Sequence, residues 1–322
     1  MRKKAGFLFA IIAVWMLTLF SLKETVHAAE TEQPEEVAVV EEGVCGDSLT
    51  WRIDEEGVLF ISGTGDMTDY EEPEEAIMPE SLMEEETVES LEDESDNLAY
   101  INKAPWGKYY DVIVSVVIEE SVTSIGTWSF CNCYNIQNIY FLSETDLLTI
   151  KEGAFYYCSG LTALNIPASV ISVGNEAFCC CENLTELNIP DSVTEIGEAA
   201  FAVTNVINVE LSNNVQNIGA SVFASCYSLE SIKLPENLTV ISETLFSGCS
   251  ALKEIVIPET VISIGEYAFE YCDSLEEVIV PESVTELGVG AFYGCSNLKK
   301  VVLPENVKSI GSYACYRCGG LT

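Results

Sequence analysis

Eight cysteines, Cys133, Cys158, Cys181, Cys226, Cys249, Cys272, Cys295 and Cys318, recur at near-constant spacing, with Thr204 filling the one gap between them. Thiols offer three chemistries: nucleophilic attack, metal ligation and disulfide formation. Attack needs a base to take the proton, and the only histidine is His27, close to the amino terminus. A Cys-His protease, a Ser-His-Asp hydrolase and an H-E-x-x-H metalloenzyme are therefore excluded on inventory. Metal ligation needs donors that converge on a point, whereas one cysteine per repeat makes a line. Two readings stay open. A column of packed thiols, acting as small buried hydrophobes, is favoured, and disulfides between neighbouring repeats are the alternative. Cys179 and Cys180 stand outside the column.

Carboxylates are the second source of chemistry. The chain carries 52 Asp and Glu against 14 Lys and Arg, a formal net charge of −38. Such a surface repels phosphates and anionic membranes, which excludes nucleic acid as a partner. Paired carboxylates for glycoside hydrolysis stay open as a minor alternative, because so acidic a chain brings some together by chance. Glu71 to Leu98 holds thirteen acids and no base, broken by Pro73 and Pro79. It lacks the Asp-x-Asp-x-Asp-Gly spacing of a calcium loop and reads as a solvated insertion. No metal and no cofactor is expected. Trp51 and Trp106 are able to stack on a sugar, but both sit where a cap must cover the first repeat, and core use is favoured.

The elements that must position these residues follow one period. Ile125, Ile150, Val173, Ile196, Ile218, Ile241, Ile264, Leu287 and Ile310 are spaced by 25, 23, 23, 22, 23, 23, 23 and 23 residues. Each cysteine of the column lies eight residues past its anchor. Five past it stands a phenylalanine, from Phe130 to Phe292, replaced only at Cys315. Trios such as Leu252, Ile255 and Ile257 follow the spacing L-x-x-L-x-I. The last two members are two apart, so both face inward from a strand while the residue between them faces out. Pro167, Pro190, Pro235, Pro258, Pro281 and Pro304 end those strands, and a glycine follows seven of the nine anchors where the chain must turn back. Stretches such as Glu266 to Cys272 have room for one or two helical turns. The expected fold is an α/β solenoid of ~23-residue coils, each one short parallel strand plus a short helical turn.

Met1-Arg2-Lys3-Lys4, the apolar run Ala5 to Phe20 and Val26-His27-Ala28-Ala29 make a signal peptide over 1–28, cleaved after Ala28. Its loss removes four bases and one acid, leaves the mature chain without histidine, and predicts no membrane insertion after cleavage. Residues 29–44 read as an acidic disordered leader. Residues 45–112 read as an N-terminal β cap with a hairpin turning at Asp54 to Gly57 and the acidic loop 71–98 inserted, and 113–322 as the solenoid.

The repeated text, for example Leu252-Lys253-Glu254-Ile255-Val256-Ile257-Pro258 running on to Ile264-Gly265-Glu266-Tyr267-Ala268-Phe269, resembles the BspA-like leucine-rich-repeat family of microbial surface proteins. Cys45 to Trp51, Ile61 to Gly65 and Ala104-Pro105-Trp106 resemble the unit that often precedes such repeats. The resemblance implies a secreted or cell-surface binding module without enzymatic activity, engaged in adhesion to host proteins, glycans or other cells. A passive spacer, or a fragment of a larger envelope protein, is the alternative, since the chain stops inside a repeat.

The outward strand column reads Asn165, Asn188, Glu210, Lys233, Val256, Ile279 and Val302. Its last three members turn apolar and would form a stripe on the exposed strand face. Glu254 and Glu277 flank that stripe and Lys300 ends it, the pattern of an apolar interface edged by charge. Val256, Ile279 and Val302 are thus the candidate contacts to a protein or extended glycan, or to a second copy of the chain. The competing explanation is the strand propensity of branched residues.

Overall fold

The computed structural model describes residues 38–73, 102–142 and 146–321. The signal peptide, residues 29–37 of the leader, residues 74–98 of the acidic loop with residues 99–101 after it, residues 143–145 and residue 322 lie outside the described residues.

The cap is built on a hairpin whose turn is set locally. Asp54 Oδ1 accepts hydrogen bonds from the backbone N–H groups of Glu56 and Val58 at 3.0 and 2.9 Å, closing β2 (Leu49–Asp54) onto β3 (Val58–Gly63) in antiparallel register. The span expected as a disordered leader ends differently. Val39–Val44 is a strand, β1, antiparallel to β2. The pairing gives its backbone groups partners in spite of the acids on it.

Beyond the hairpin the cap acts as a coil of the solenoid. β3 pairs in parallel with β4 (Ser115–Ile118), which pairs with β5 (Asn138–Phe141), giving the sheet order β1-β2-β3-β4-β5. The residues just after β3, Gly65–Asp66, start a second parallel ladder continued by Val122–Ile125, Thr149–Ile150, Ser172–Val173, Glu195–Ile196 and Asn217–Ile218. Most coils therefore lay down two short strands rather than one. The anchors sit on the second ladder, and the trios form the first, with pairs such as Leu187 beside Leu164 and Val301 beside Val278.

The short helical turn of each coil is absent from the described residues, so the fold is a β-solenoid and not an α/β one. The single 3-10 turn among the described residues, Gly107–Tyr109, belongs to the cap. The reason lies in the backbone N–H groups. An α-helix needs each N–H to reach the carbonyl four residues back. Here the N–H groups three, five and seven past an anchor reach the next coil instead: Thr244, Phe246 and Gly248 donate to the carbonyls of Glu266, Ala268 and Glu270 at 2.9, 2.8 and 2.7 Å. The positions three and seven past the anchor adopt left-handed backbone, as at Tyr267 and Tyr271 (φ 52° each) and at Gly290 and Gly294. A left-handed residue every fourth position stops a right-handed helix. The third side of every coil is thus a further inter-coil ladder.

The glycines after the anchors serve close approach. A Cβ on Gly197 would stand 2.4 Å from the backbone nitrogen of Asn175 in the preceding coil. Inside, Phe130, Phe155, Phe178, Phe201, Phe223, Phe246, Phe269 and Phe292 are fully buried and stacked, with centroids 4.8–6.1 Å apart. Trp106 heads this column, 5.3 Å from Phe130, and Trp51 meets Trp106 edge-on at 5.9 Å. Both tryptophans are core. Ile310, unlike the other anchors, is 54% exposed, as no further coil covers it among the described residues.

Candidate functional site

All thirteen cysteines are free thiols. Each column member from Cys158 on donates its Sγ hydrogen to the phenylalanine carbonyl of the coil before it, for example Cys249 to Phe223 at 3.1 Å and Cys272 to Phe246 at 3.2 Å. A small, apolar side chain with a weak donor suits that position, since the same carbonyl already accepts the N–H of its own coil's cysteine. In the shortened coil Thr204 Oγ1 bonds the Phe201 carbonyl at 2.9 Å and lies 3.3 Å from Cys226 Sγ. At the column's head Asn102 Nδ2 reaches Cys133 Sγ at 3.4 Å and the Cys131 carbonyl at 3.1 Å. Burial pushes the Cys133 thiol up to about 12 and the Cys226 thiol up to about 11, so both stay protonated at neutral pH and make poor nucleophiles. Cys179 and Cys180 belong to a second small core with Trp128, Cys131, Tyr156 and Ala202 under the third side. Among the described residues no group of three or more His, Cys, Asp or Glu gathers as a metal site.

On the first ladder the exposed column is geometrically defined for part of its length. Ile279 and Val302 are register partners across parallel strands Glu277–Ile279 and Lys300–Val302, and both are solvent-facing, at 62% and 36% exposed. Val256 is 79% exposed, but residues 254–256 form no strand, so it continues the column across an interruption of the ladder. Behind them Ile255 and Val278 are buried, and the partly buried Val301 packs on the same core, as the two-residue alternation demands. The charges beside the column form pairs: Lys300 Nζ is 2.6 Å from Glu277, and Lys299 is 2.8 Å from Glu276. Lys300 thereby neutralises Glu277 at the stripe's edge, while Glu254 is exposed. These pairs are solvent-screened and contribute little to stability.

The third side holds a cluster that the repeat pattern did not single out. Tyr267, Tyr271, Tyr293, Tyr313 and Tyr316, with Glu270, surround an open cavity of about 470 Å³. Tyr293 stands edge-on to Tyr271 at 5.6 Å and 89°, and Tyr316 lies 5.5 Å from Tyr293. These tyrosines stand three, six or seven residues past their anchors, so no single column of the sequence contains them. The cue available in the sequence is the density of tyrosine after Gly265, beside Gly290 and Gly294.

The family model described as "BspA type Leucine rich repeat region" matches residues 108–230 and 216–322, in six copies. Among solved structures the chain is similar to a leucine-rich repeat protein from Bacteroides ovatus, at 28% identity over 86% of this chain and 69% of that one, with a TM-score of 0.57. A leucine-rich repeat protein from Eubacterium ventriosum shares the fold at 21% identity, covering 88% of this chain and 77% of that one, with a TM-score of 0.52. No curated protein matches the chain.

Proposed function

Since the chain belongs to the BspA-type leucine-rich repeat family, we propose that it is a secreted or cell-surface binding module, without enzymatic activity, that holds a protein partner on its exposed first ladder. The observation that carries this reading is the side-by-side placement of Ile279 and Val302, two large apolar side chains turned to solvent on one rigid ladder. Exposed β-branched residues arise singly without meaning, but an adjacent pair continued by Val256 and edged by Glu254, Glu277 and Lys300 makes a patch whose burial releases water. A flat ladder suits a protein surface better than a small metabolite. Adhesion through this face follows from the same reading. The protonated, buried thiols of Cys133 and Cys226 and the absence of histidine beyond His27 support a non-catalytic role.

The test is the double variant Ile279→Lys/Val302→Lys. Its circular dichroism and melting temperature are expected to match the parent, because neither side chain packs in the core. Binding to immobilised extracellular-matrix proteins, and self-association measured by sedimentation, are read in parallel. Loss of either contact supports the reading and tells a foreign partner from a second copy. If both are unchanged, the stripe is strand propensity alone, and a parent that binds nothing is a spacer.

A further inference from the structure

We propose that the tyrosine-lined cavity on the third side of the last three coils is a binding subsite for a neutral glycan, separate from the first ladder. The cavity's volume, about 470 Å³, is that of a small-ligand site. Its lining is five tyrosines, Glu270 and Thr244, with no aliphatic side chain among them. A protein knob would call for aliphatic walls. A sugar presents two different surfaces: flat C–H faces, which rest on aromatic rings, and a rim of hydroxyls, which needs donors and acceptors at the edge. Tyrosine supplies the face and, through its hydroxyl, part of the edge, while Glu270, one oxygen of which accepts from Ser247 Oγ at 3.0 Å, and Thr244, whose hydroxyl pairs with that of Ser221 at 2.6 Å, add their remaining hydrogen-bonding capacity.

The rings are seated rather than merely exposed. Positions three and seven past an anchor carry side chains in most coils, yet both are glycine in the coil that begins at Leu287. A Cβ on Gly290 would lie 2.4 Å from the Tyr267 ring, and one on Gly294 would lie 2.5 Å from the Tyr271 ring. Both tyrosines of one coil thus lie across bare backbone of the next, and Tyr293, rising between them, meets each edge-on, at 6.4 and 5.6 Å. Fixing rings in advance spares a ligand the cost of ordering them. The two glycines make room for Tyr267 and Tyr271 without burying them, and Tyr271 stays solvent-facing.

Charge selects a neutral ligand. An aromatic cavity with one carboxylate is also a cage for a cation, but the Arg317 guanidinium, 5.8 Å from the centroid of the lining ring Tyr316, sets a positive charge beside that lining which a second cation would have to face. Glu270 is the one charged residue of the lining, and Arg317 brings a charge of opposite sign to the Tyr316 ring although the chain as a whole is strongly acidic. The larger groove, about 630 Å³ beside Gly174, Gly197 and Gly219, holds no aromatic ring and is the space left by the close approach of backbones there.

The full chain is titrated with a panel of neutral tetrasaccharides (cellotetraose, maltotetraose, xylotetraose and mannotetraose) and with tetramethylammonium, by calorimetry and saturation-transfer NMR. At least one tetrasaccharide is expected to bind. Tyr271→Ala is expected to weaken it by about tenfold, the loss of one stacked ring, while Tyr271→Phe stays within about twofold. Tyr271 lies outside the core, so both variants are expected to melt with the parent. The proposal is overturned if no tetrasaccharide binds, if Tyr271→Ala leaves the affinity unchanged, or if tetramethylammonium alone binds. Ile279→Lys/Val302→Lys is expected to leave sugar binding intact. If that variant abolishes it, the glycan sits on the first ladder and the separate subsite is refuted, whereas failure of the sugar arm alone leaves the first-ladder reading standing.

Discussion

Replacing Cys226 by alanine is expected to destabilise the chain at pH 8 and to stabilise it at pH 11. Cys226 is fully buried, bonds the Phe201 carbonyl at 3.3 Å and neighbours Thr204 Oγ1. At pH 8 the alanine variant loses that weak hydrogen bond and leaves a small void, a cost of about 1–2 kcal/mol. Alkali reverses the order. Burial holds the folded-state thiol up to about 11, whereas a thiol in the unfolded chain ionises near 8.5. A group whose folded pKa is raised contributes its full stability below the unfolded value and loses it as pH rises towards the folded one. Across that window the parent loses about 1.4 kcal/mol per pH unit relative to a chain lacking the thiol, roughly 3 kcal/mol in all. The two stability curves should therefore cross near pH 9.5–10, where the accumulated loss equals the cost at pH 8. Ionisation of tyrosines and the growing negative charge act on both chains alike and cancel in the difference. The assay is urea unfolding of parent and Cys226→Ala at pH 8, 9, 10 and 11 with a reductant present. Parallel curves would show that the thiol ionises as freely in the folded chain as in the unfolded one. The dry thiol column would then be refuted.

Phe246→Ala should cost roughly 3–5 kcal/mol and loosen the coils on both sides, since the ring stacks 6.1 and 5.4 Å from Phe223 and Phe269; a loss under about 1 kcal/mol would contradict the stack. Gly197→Ala should destabilise by about 1–3 kcal/mol, because its Cβ would meet the backbone of Asn175. Gly248→Asn, at a left-handed position with Ser225 no closer than 3.3 Å, should change the melting temperature little, and equal damage from both would refute the distinction between space and φ. A bulky thiol reagent should modify Cys158, Cys181 and Cys249 only after unfolding, and reductant should leave the melting temperature unchanged; a drop with reductant would reveal disulfides. Exported protein should begin at Ala29, and amino-terminal sequencing that finds Met1 would refute the signal peptide.

The period is legible in the sequence because burial repeats it. All but the last coil hide a phenylalanine, and all but the one with Thr204 place a cysteine three residues on, ahead of the inward pair of the trio, so the spacing of Phe269, Cys272, Val278 and Val280 is enough to mark out a coil. The third side is not legible as a ladder. Glu266-Tyr267-Ala268-Phe269 contains residues that a helix accepts, and the choice against a helix is made by where their N–H groups find carbonyls, which is a property of the neighbouring coil. Only four of the left-handed sites there, Gly153, Gly248, Gly290 and Gly294, carry the residue that would signal them; the others include Val203, Thr244 and Tyr271.

The two candidate sites divide along the same line. Ile279 and Val302 hold the same position in adjacent coils, so a strand's two-residue alternation is enough to put both on one face. Tyr271 and Tyr293 hold different positions, seven and six past their anchors, and meet only because the backbone between them turns back on itself. A repeat sequence exposes sites built along a column and hides sites built across columns. For a cross-column site the legible trace is the glycine that yields to a ring: Trp128 lies over Gly153, Tyr267 over Gly290 and Tyr271 over Gly294, each 23 or 25 residues apart. Trp128 is buried in the second small core, whereas Tyr271 is exposed. An aromatic residue followed one period later by glycine therefore marks a ring laid flat on the next coil, and whether that ring is covered decides between packing and binding.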